Sequence, residues 1–187
     1  MDLAFSGNGE PTTARELPQL VERVGTVLQE AGLAGSLPLR LITNGSQVLR
    51  PEVQEALSRM ATLGGEVWFK LDRATRAGRS LINDVAAGEE RLREQLDTCA
   101  RLCPTWLQTC LFQLDGAAPA EEELGAWLEL VGGLVEAGTP LQGVHLYGLA
   151  RPSLQPEAER LRRLPASWLE TFAGRVRDLG LPAEVSP

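Results

Sequence analysis

The sequence holds a single histidine and only three cysteines among 187 residues. That scarcity closes several chemistries at once. His145 sits inside an apolar run and reads as a packed ring. Without a second histidine, neither a serine nor a cysteine triad is supported. No histidine stands near the cysteines to complete a zinc set. An odd cysteine count does not suggest a disulfide framework, and a reducing cytoplasm is the expected setting. No stretch approaches the roughly 18 consecutive apolar residues of a membrane span. Met1-Asp2-Leu3-Ala4-Phe5 carries no basic segment, so no secretory signal is expected. Positive charge is also short: 18 Lys and Arg stand against 25 Asp and Glu, a formal net charge of -7. Non-specific binding to nucleic acid or to an anionic membrane gains nothing from that balance. Gly7-x-Gly9 lacks the third glycine of a dinucleotide fingerprint, and no phosphate-loop Gly-Lys-Ser/Thr follows it.

What is present is an alternation of apolar runs and helical stripes. Apolar residues make up 43% of the chain and charged residues 23%, ordinary values for one globular domain. The opening strand, residues 2–6, runs into Gly7-Asn8-Gly9-Glu10-Pro11-Thr12. Leu17, Leu20, Val21, Val24, Val27 and Leu28 then recur at helical spacing. Leu39 to Thr43 forms a second strand ending at Asn44-Gly45. Pro51 opens a helix faced by Val53, Leu57 and Met60. Glu66 to Asp72 is a third strand, apolar enough at its centre to be covered on both faces. Leu81, Ile82 and Val85 form a short helix or a packed loop. A clear stripe runs through Leu92, Leu96, Cys99 and Cys103, followed by strand 106–112. Three consecutive glutamates, Glu121 to Glu123, suit a helix N-terminus. Strand 144–149, a helix over 165–179 and a short strand at 183–185 complete the pattern, with a long polar loop over 151–165. Five clear strands separated mostly by helices predict parallel, right-handed crossovers. Periodicity does not decide between a flat doubly wound sheet and an open, curved barrel.

In a parallel α/β sheet, ligands gather beyond the C-terminal strand ends. The polar groups expected there are Gly9 and Glu10, Thr43 and Asn44, Lys70 and Asp72, Gln113 and Asp115, and Tyr147 and Arg151. Glu10 is either a ligand-facing carboxylate or a helix-end charge that satisfies free N–H groups. Asn44-Gly45 is either a hydrogen-bonding site or a left-handed turn. Lys70 and Asp72 stand two apart on a strand, so they either pair with each other or bracket a ligand. Cys99 and Cys103, four apart on the apolar face of a helix, read as buried structural thiols. Trp127 and Trp168 fall on helical stripes and read as packing residues; Trp68 and Trp106 stand near strand starts.

Taken in order, these segments resemble the radical S-adenosylmethionine (SAM) enzymes. Phe5-Ser6-Gly7-Asn8-Gly9-Glu10-Pro11-Thr12 resembles the strand and turn of the Gly-Gly-Glu motif, with Asn8 at the first glycine. In that family the turn meets the methionine amino group of the cofactor. Leu41-Ile42-Thr43-Asn44-Gly45-Ser46 resembles the next strand and its Thr-Asn-Gly end. Trp68-Phe69-Lys70-Leu71-Asp72 resembles a strand that contacts the cofactor's carboxylate or ribose, and His145 to Arg151 the last core strand. The resemblance implies a partial (β/α) barrel, SAM and a [4Fe–4S] cluster as cofactors, and Gly9, Glu10, Asn44, Lys70 and Asp72 as cofactor-binding residues. The substrate it implies is a small molecule or a protein. The Cys-x-x-x-Cys-x-x-Cys loop that holds the family's cluster is missing, and Cys99, Cys103 and Cys110 have the wrong spacing for it. Residues 1–187 are therefore expected to form a single truncated domain without its first β/α unit. It would have an open sheet edge near residues 2–6, hold no cluster and be inactive alone. Two other readings stay open: a non-catalytic interaction or assembly domain, and a cluster-independent ligand-binding domain using Glu10, Asn44, Lys70 and Arg151.

Overall fold

Apolar runs become strands and amphipathic stripes become helices almost where their periodicity places them. The computed structural model describes residues 2–6, 9–83, 88–149 and 156–186. The expectations for Gly7, Asn8, Val85 and Arg151 lie outside the described residues. The chain runs β1 (Leu3–Phe5), a 3-10 turn (Pro11–Thr13), α1 (Leu17–Glu30), β2 (Leu39–Thr43), α2 (Pro51–Thr62), β3 (Glu66–Lys70) and α3 (Arg76–Asn83). It continues with α4 (Glu89–Leu102), β4 (Thr105–Cys110), β5 (Phe112–Leu114), α5 (Glu121–Glu136) and β6 (Leu141–Tyr147). A second 3-10 turn (Pro156–Arg160), β7 (Leu161–Arg163), α6 (Ala166–Arg177) and β8 (Ala183–Ser186) complete it. Contacts gather these elements into two compact units.

The first unit holds residues 1–70, 92–106 and 139–141. Its strands β1, β2 and β3 lie side by side in sequence order. Both pairings are parallel: Leu3 faces Leu39, and Arg40 faces Glu66. The start of β4 follows, where the Val67 N–H donates to the Pro104 carbonyl at 2.8 Å. Leu17, Val21 and Leu28 of α1 and Val53, Leu57 and Met60 of α2 are buried, as are Leu39, Leu41, Val67 and Phe69 of the sheet. The expected burial of β3 on both faces is corrected. Val67 and Phe69 are buried, Glu66 and Trp68 are half-buried, and Lys70 is exposed. The less covered face is a polar and aromatic ladder. Arg40 Nε donates to Glu66 Oε1 at 2.7 Å, its guanidinium lies 4.5 Å from the centre of the Trp68 ring, and Trp68 Nε1 donates to the same Glu66 oxygen at 3.0 Å.

The second unit holds residues 71–91, 107–138 and 142–187. Here β6 follows β4 and β8 follows β6. β6 and β8 are parallel, with Val144 facing Ala183 and Tyr147 facing Ser186. Trp127 is the centre of the packing. Its ring meets Phe172 edge-on at 5.6 Å, and its Nε1 donates to the Leu71 carbonyl at 3.0 Å, so the buried indole is satisfied. Two features depart from the expected pattern. The run 106–112 is not one strand: β4 ends at Cys110, and Phe112 begins β5. β5 pairs antiparallel with β7, Phe112 facing Arg163 and Leu114 facing Leu161. β7 lies in what reads as the long polar loop. It is three residues long and two of them are arginines, so it has no apolar alternation to announce it. Asp115, left-handed at φ 53°, and Arg160 fasten the pair through Arg160 Nε and Nη2, at 2.9 and 2.7 Å from the two carboxylate oxygens.

Candidate functional site

Glu10 begins the 3-10 turn after β1, and its carboxylate is the meeting point of two strand ends. Oε1 accepts from the Thr12 N–H at 3.1 Å, the Thr12 hydroxyl at 2.6 Å and the Thr43 hydroxyl at 2.6 Å. Oε2 accepts from the Asn44 N–H at 2.7 Å. The helix-end role weighed for Glu10 is therefore real, and the carboxylate also reaches across to the end of β2. A carboxylate offers about four lone-pair positions. Three donors crowd Oε1, while Oε2 has one partner among the described residues and an acceptor position to spare.

The end of β2 is shaped to meet that carboxylate. Thr43 is buried, and its hydroxyl also accepts from the Gly45 N–H at 3.0 Å. Asn44 Oδ1 accepts from the Ser46 N–H at 2.9 Å, and Gly45 is left-handed at φ +75°. The Asn44-Gly45 turn is thus a left-handed turn whose first N–H is spent on Glu10. Gly9 has φ +136°, and a Cβ built there would meet none of the described residues within 4 Å. The backbone needs glycine at this point, yet the space above it is open. That space continues into a cleft of about 380 Å³ lined by Phe5, Ser6, Gly9, Glu10, Pro11 and the start of α1.

The other site candidates are placed as follows. Lys70, the sole lysine, ends β3 in the first unit with its side chain exposed. Asp72 belongs to the second unit and is 6% exposed. Its Oδ1 accepts from the Cys110 N–H and its Oδ2 from the Asn83 amide, both at 2.8 Å. The first unit therefore carries Gly9, Glu10, Asn44 and Lys70, and the second carries Asp72. Tyr147, also in the second unit, has its hydroxyl pKa raised by burial and by the charge of Asp72. His145 is partly covered, with Nδ1 3.1 Å from Glu184 Oε2. Sequence reasoning assigned no role to Thr12, Asn83 or Arg73. Thr12 had a readable signal, a hydroxyl two residues after a turn carboxylate. Asn83 and Arg73 had none.

No protein-family model matches the chain, and no curated protein sequence matches it. Solved structures do. A domain of pyruvate-formate lyase-activating enzyme from Bacteroides vulgatus superposes with a TM-score of 0.63 at 13% identity, covering 100% of this chain and 99% of that one. A radical SAM methyltransferase from Sphaerobacter thermophilus gives a TM-score of 0.64 at 18% identity. The match covers 99% of this chain and 50% of the methyltransferase, so the chain spans half of that protein's length. The fold resembles that of radical SAM proteins. At these identities the likeness is one of fold.

A [4Fe–4S] cluster with one open iron needs three converging thiolates. The cysteines here do not fit that demand. Cys99 and Cys103 are 0% and 2% exposed. Burial pushes both thiols up to about 12. Cys99 Sγ accepts from the Thr105 hydroxyl at 3.5 Å, and Cys103 Sγ donates to the Gly65 carbonyl at 3.5 Å. Cys110 belongs to the second unit. Among the described residues, no group of three or more His, Cys, Asp or Glu is placed to hold a metal ion. None of the described helices is long and apolar enough to cross a membrane.

Proposed function

We propose that this chain is the portion of a radical-SAM-type protein that follows the cluster loop, folded as a partial, open (β/α) barrel, and that its first unit presents a SAM-facing surface. The observation that carries this reading is the Glu10 carboxylate: fixed by four donors, it keeps an Oε2 acceptor position beside the open space over Gly9. A methionine ammonium is a compact cation with three donors, and that acceptor position answers one of them. Asn44 holds the carboxylate in place through its N–H, and Lys70 supplies a cation for the carboxylate end of the ligand. Asp72 is not needed here, since Asn83 and Cys110 engage it in the second unit. The radical SAM methyltransferase of similar fold supports the choice of ligand class. Because the cysteines do not fit a cluster, the chain alone binds without cleaving.

Lys70 makes the test direct. Reductive methylation with carbon-13 installs one side-chain reporter, separable from the N-terminal amine by its pH titration. Titration with SAM in the absence of iron is expected to shift the Lys70 signal saturably, with weak affinity, and Glu10→Ala is expected to abolish the shift. An unmoved Lys70 signal at millimolar SAM, or sub-micromolar affinity without iron, contradicts the reading.

A second reading, self-association, rests on β1. This strand pairs with β2 alone among the described residues, and Leu3 is 37% exposed, Leu20 46% and Val27 49%. An uncovered strand edge with apolar neighbours invites strand pairing with another copy. Light scattering across a hundredfold concentration range tests it: a constant monomer mass excludes association through this edge.

A further inference from the structure

The second unit contains a buried cation that makes no direct ion pair among the described residues. Arg73 is 6% exposed. Its Nη1 donates to the Asp72 carbonyl at 2.6 Å and to the Cys110 carbonyl at 3.3 Å, and its guanidinium lies 5.3 Å from the centre of the Phe112 ring. These bonds use one nitrogen. Nε and Nη2, the edge that grips a carboxylate with two parallel bonds, donate to no described residue. Nor does any described carboxylate stand at ion-pair distance. Asp72 is taken by Cys110 and Asn83. Glu123 is taken by the Ala74 N–H at 2.7 Å, the Thr75 N–H at 3.0 Å and the Thr75 hydroxyl. Buried charges are ordinarily paired, because an unpaired one forfeits its hydration without return. Burial lowers the Arg73 pKa from its ordinary value, and the nearby charges of Asp72 and Glu123 offset that only in part; a guanidinium stays charged at any physiological pH.

The cleft beside it has the complementary character. It measures about 340 Å³, and Arg73 is the one cationic lining residue among the described residues. Leu81, Ile82, Phe112, Leu114 and Ala117 make its walls largely apolar. Leu81 is 67% exposed, a large apolar side chain left uncovered. A volume of that order suits a small molecule. We infer that this cleft binds an amphipathic monocarboxylate, its head on the Nε–Nη2 edge of Arg73 and its hydrocarbon body against Leu81, Ile82 and Phe112. A planar carboxylate matches the two-donor edge. Glu123 also lines the cleft, so a dianion is disfavoured against a monoanion. The site lies wholly within the second unit and does not depend on the SAM-facing reading of the first.

Octanoate is the probe, and calorimetry with the full 187-residue chain is the measurement. Saturable binding is expected, weakened at least tenfold in Arg73→Met, which keeps the length of the side chain and removes the cation. Octanol, with the same body and no charge, is expected to bind at least tenfold more weakly to the unaltered protein. Ala118→Trp, which fills the cleft and leaves Arg73 in place, is expected to abolish binding. This second variant decides the matter if circular dichroism shows Arg73→Met to be unfolded. Non-saturable octanoate uptake, equal affinity for octanol, tighter binding of an octylphosphonate dianion, or binding unaffected by either folded variant overturns the inference.

Discussion

The Thr43 hydroxyl donates to Glu10 Oε1 at 2.6 Å, closing a link between two strand ends that stand 33 residues apart in the chain. The same carboxylate caps the turn that follows β1. One side chain thus fixes both loops that frame the candidate cofactor surface, and its removal is felt in stability as well as in binding.

Thr43→Val keeps the shape of the buried side chain and removes its hydroxyl. It is expected to cost about 1.5–3 kcal/mol, the range for hydrogen bonds to charged groups. The Gly45 N–H, which that hydroxyl accepts, loses its partner as well. Glu10→Ala is expected to cost more, since four donors lose their acceptor. Urea midpoints at constant m-value measure both; a Glu10→Ala protein as stable as the parent would show that the link is not structural.

Gly45 cannot be replaced cheaply. A Cβ there would stand 2.1 Å from Phe69 Cζ and 2.2 Å from Cε2, at a backbone φ of +75° that disfavours any side chain. Phe69 is completely buried, so its ring has no room to yield. Gly45→Ala is expected to destabilise by more than about 2 kcal/mol from overpacking and backbone strain together. Phe69→Leu in the same chain should recover part of that loss in thermal unfolding, because it removes the clashing ring atoms. A double variant no better than the sum of its parts would assign the whole cost to backbone conformation.

The two buried thiols, Cys99 in α4 and Cys103 just after it, set an alkaline limit. Their pKa is raised from 9.0 to about 12 by burial, so the folded state keeps protons that the unfolded state releases. Their contribution is fully present below the unfolded value and is lost as pH rises toward the folded one. Between about pH 9 and 12 each thiol is expected to lower stability by roughly 1.4 kcal/mol per pH unit. Denaturant titration at stepped pH measures the slope, and Cys99→Ala should roughly halve it between pH 9 and 10, below the range where the raised Tyr147 hydroxyl adds its own share. Both thiols should also resist alkylation in the native protein at pH 8 and react once it is unfolded.

Asp97 works at the acid end. Arg101 Nε donates to its Oδ2 at 2.8 Å and the Thr139 hydroxyl to its Oδ1 at 2.6 Å, and these bonds hold its pKa below the ordinary 3.8. A depressed carboxylate stabilises the fold above its unfolded pKa, and that contribution disappears as pH falls through the folded one. The Asp97→Asn variant is expected to lose less stability than the parent between pH 5 and about pH 2. Parallel slopes for the two proteins would remove Asp97 from the acid response.

The sequence by itself determined the alternation of elements and the parallel order of the strands. Both follow from local periodicity: Leu17, Val21 and Leu28 mark one helix face, and Leu39, Leu41, Val67 and Phe69 mark two strands. It also determined that Cys99 and Cys103 are buried, since both fall on the apolar stripe that runs through α4 to the residue after it. Tertiary structure decided whatever depends on residues distant in the chain. The β5–β7 pair joins Asp115 to Arg160 across a charged segment without apolar pattern. The ladder of Arg40, Glu66 and Trp68 appears only once β2 and β3 are in register. Gly45 reads as a turn in the sequence, but that it abuts the Phe69 ring is a fact of packing. Glu10 stood out as a carboxylate in a glycine turn, while its four donors come from two turns that only the fold brings together. Arg73 gave no signal at all. A cation is conspicuous only when its surroundings exclude water and leave it without a direct ion pair, and burial of that kind is a property of the folded chain.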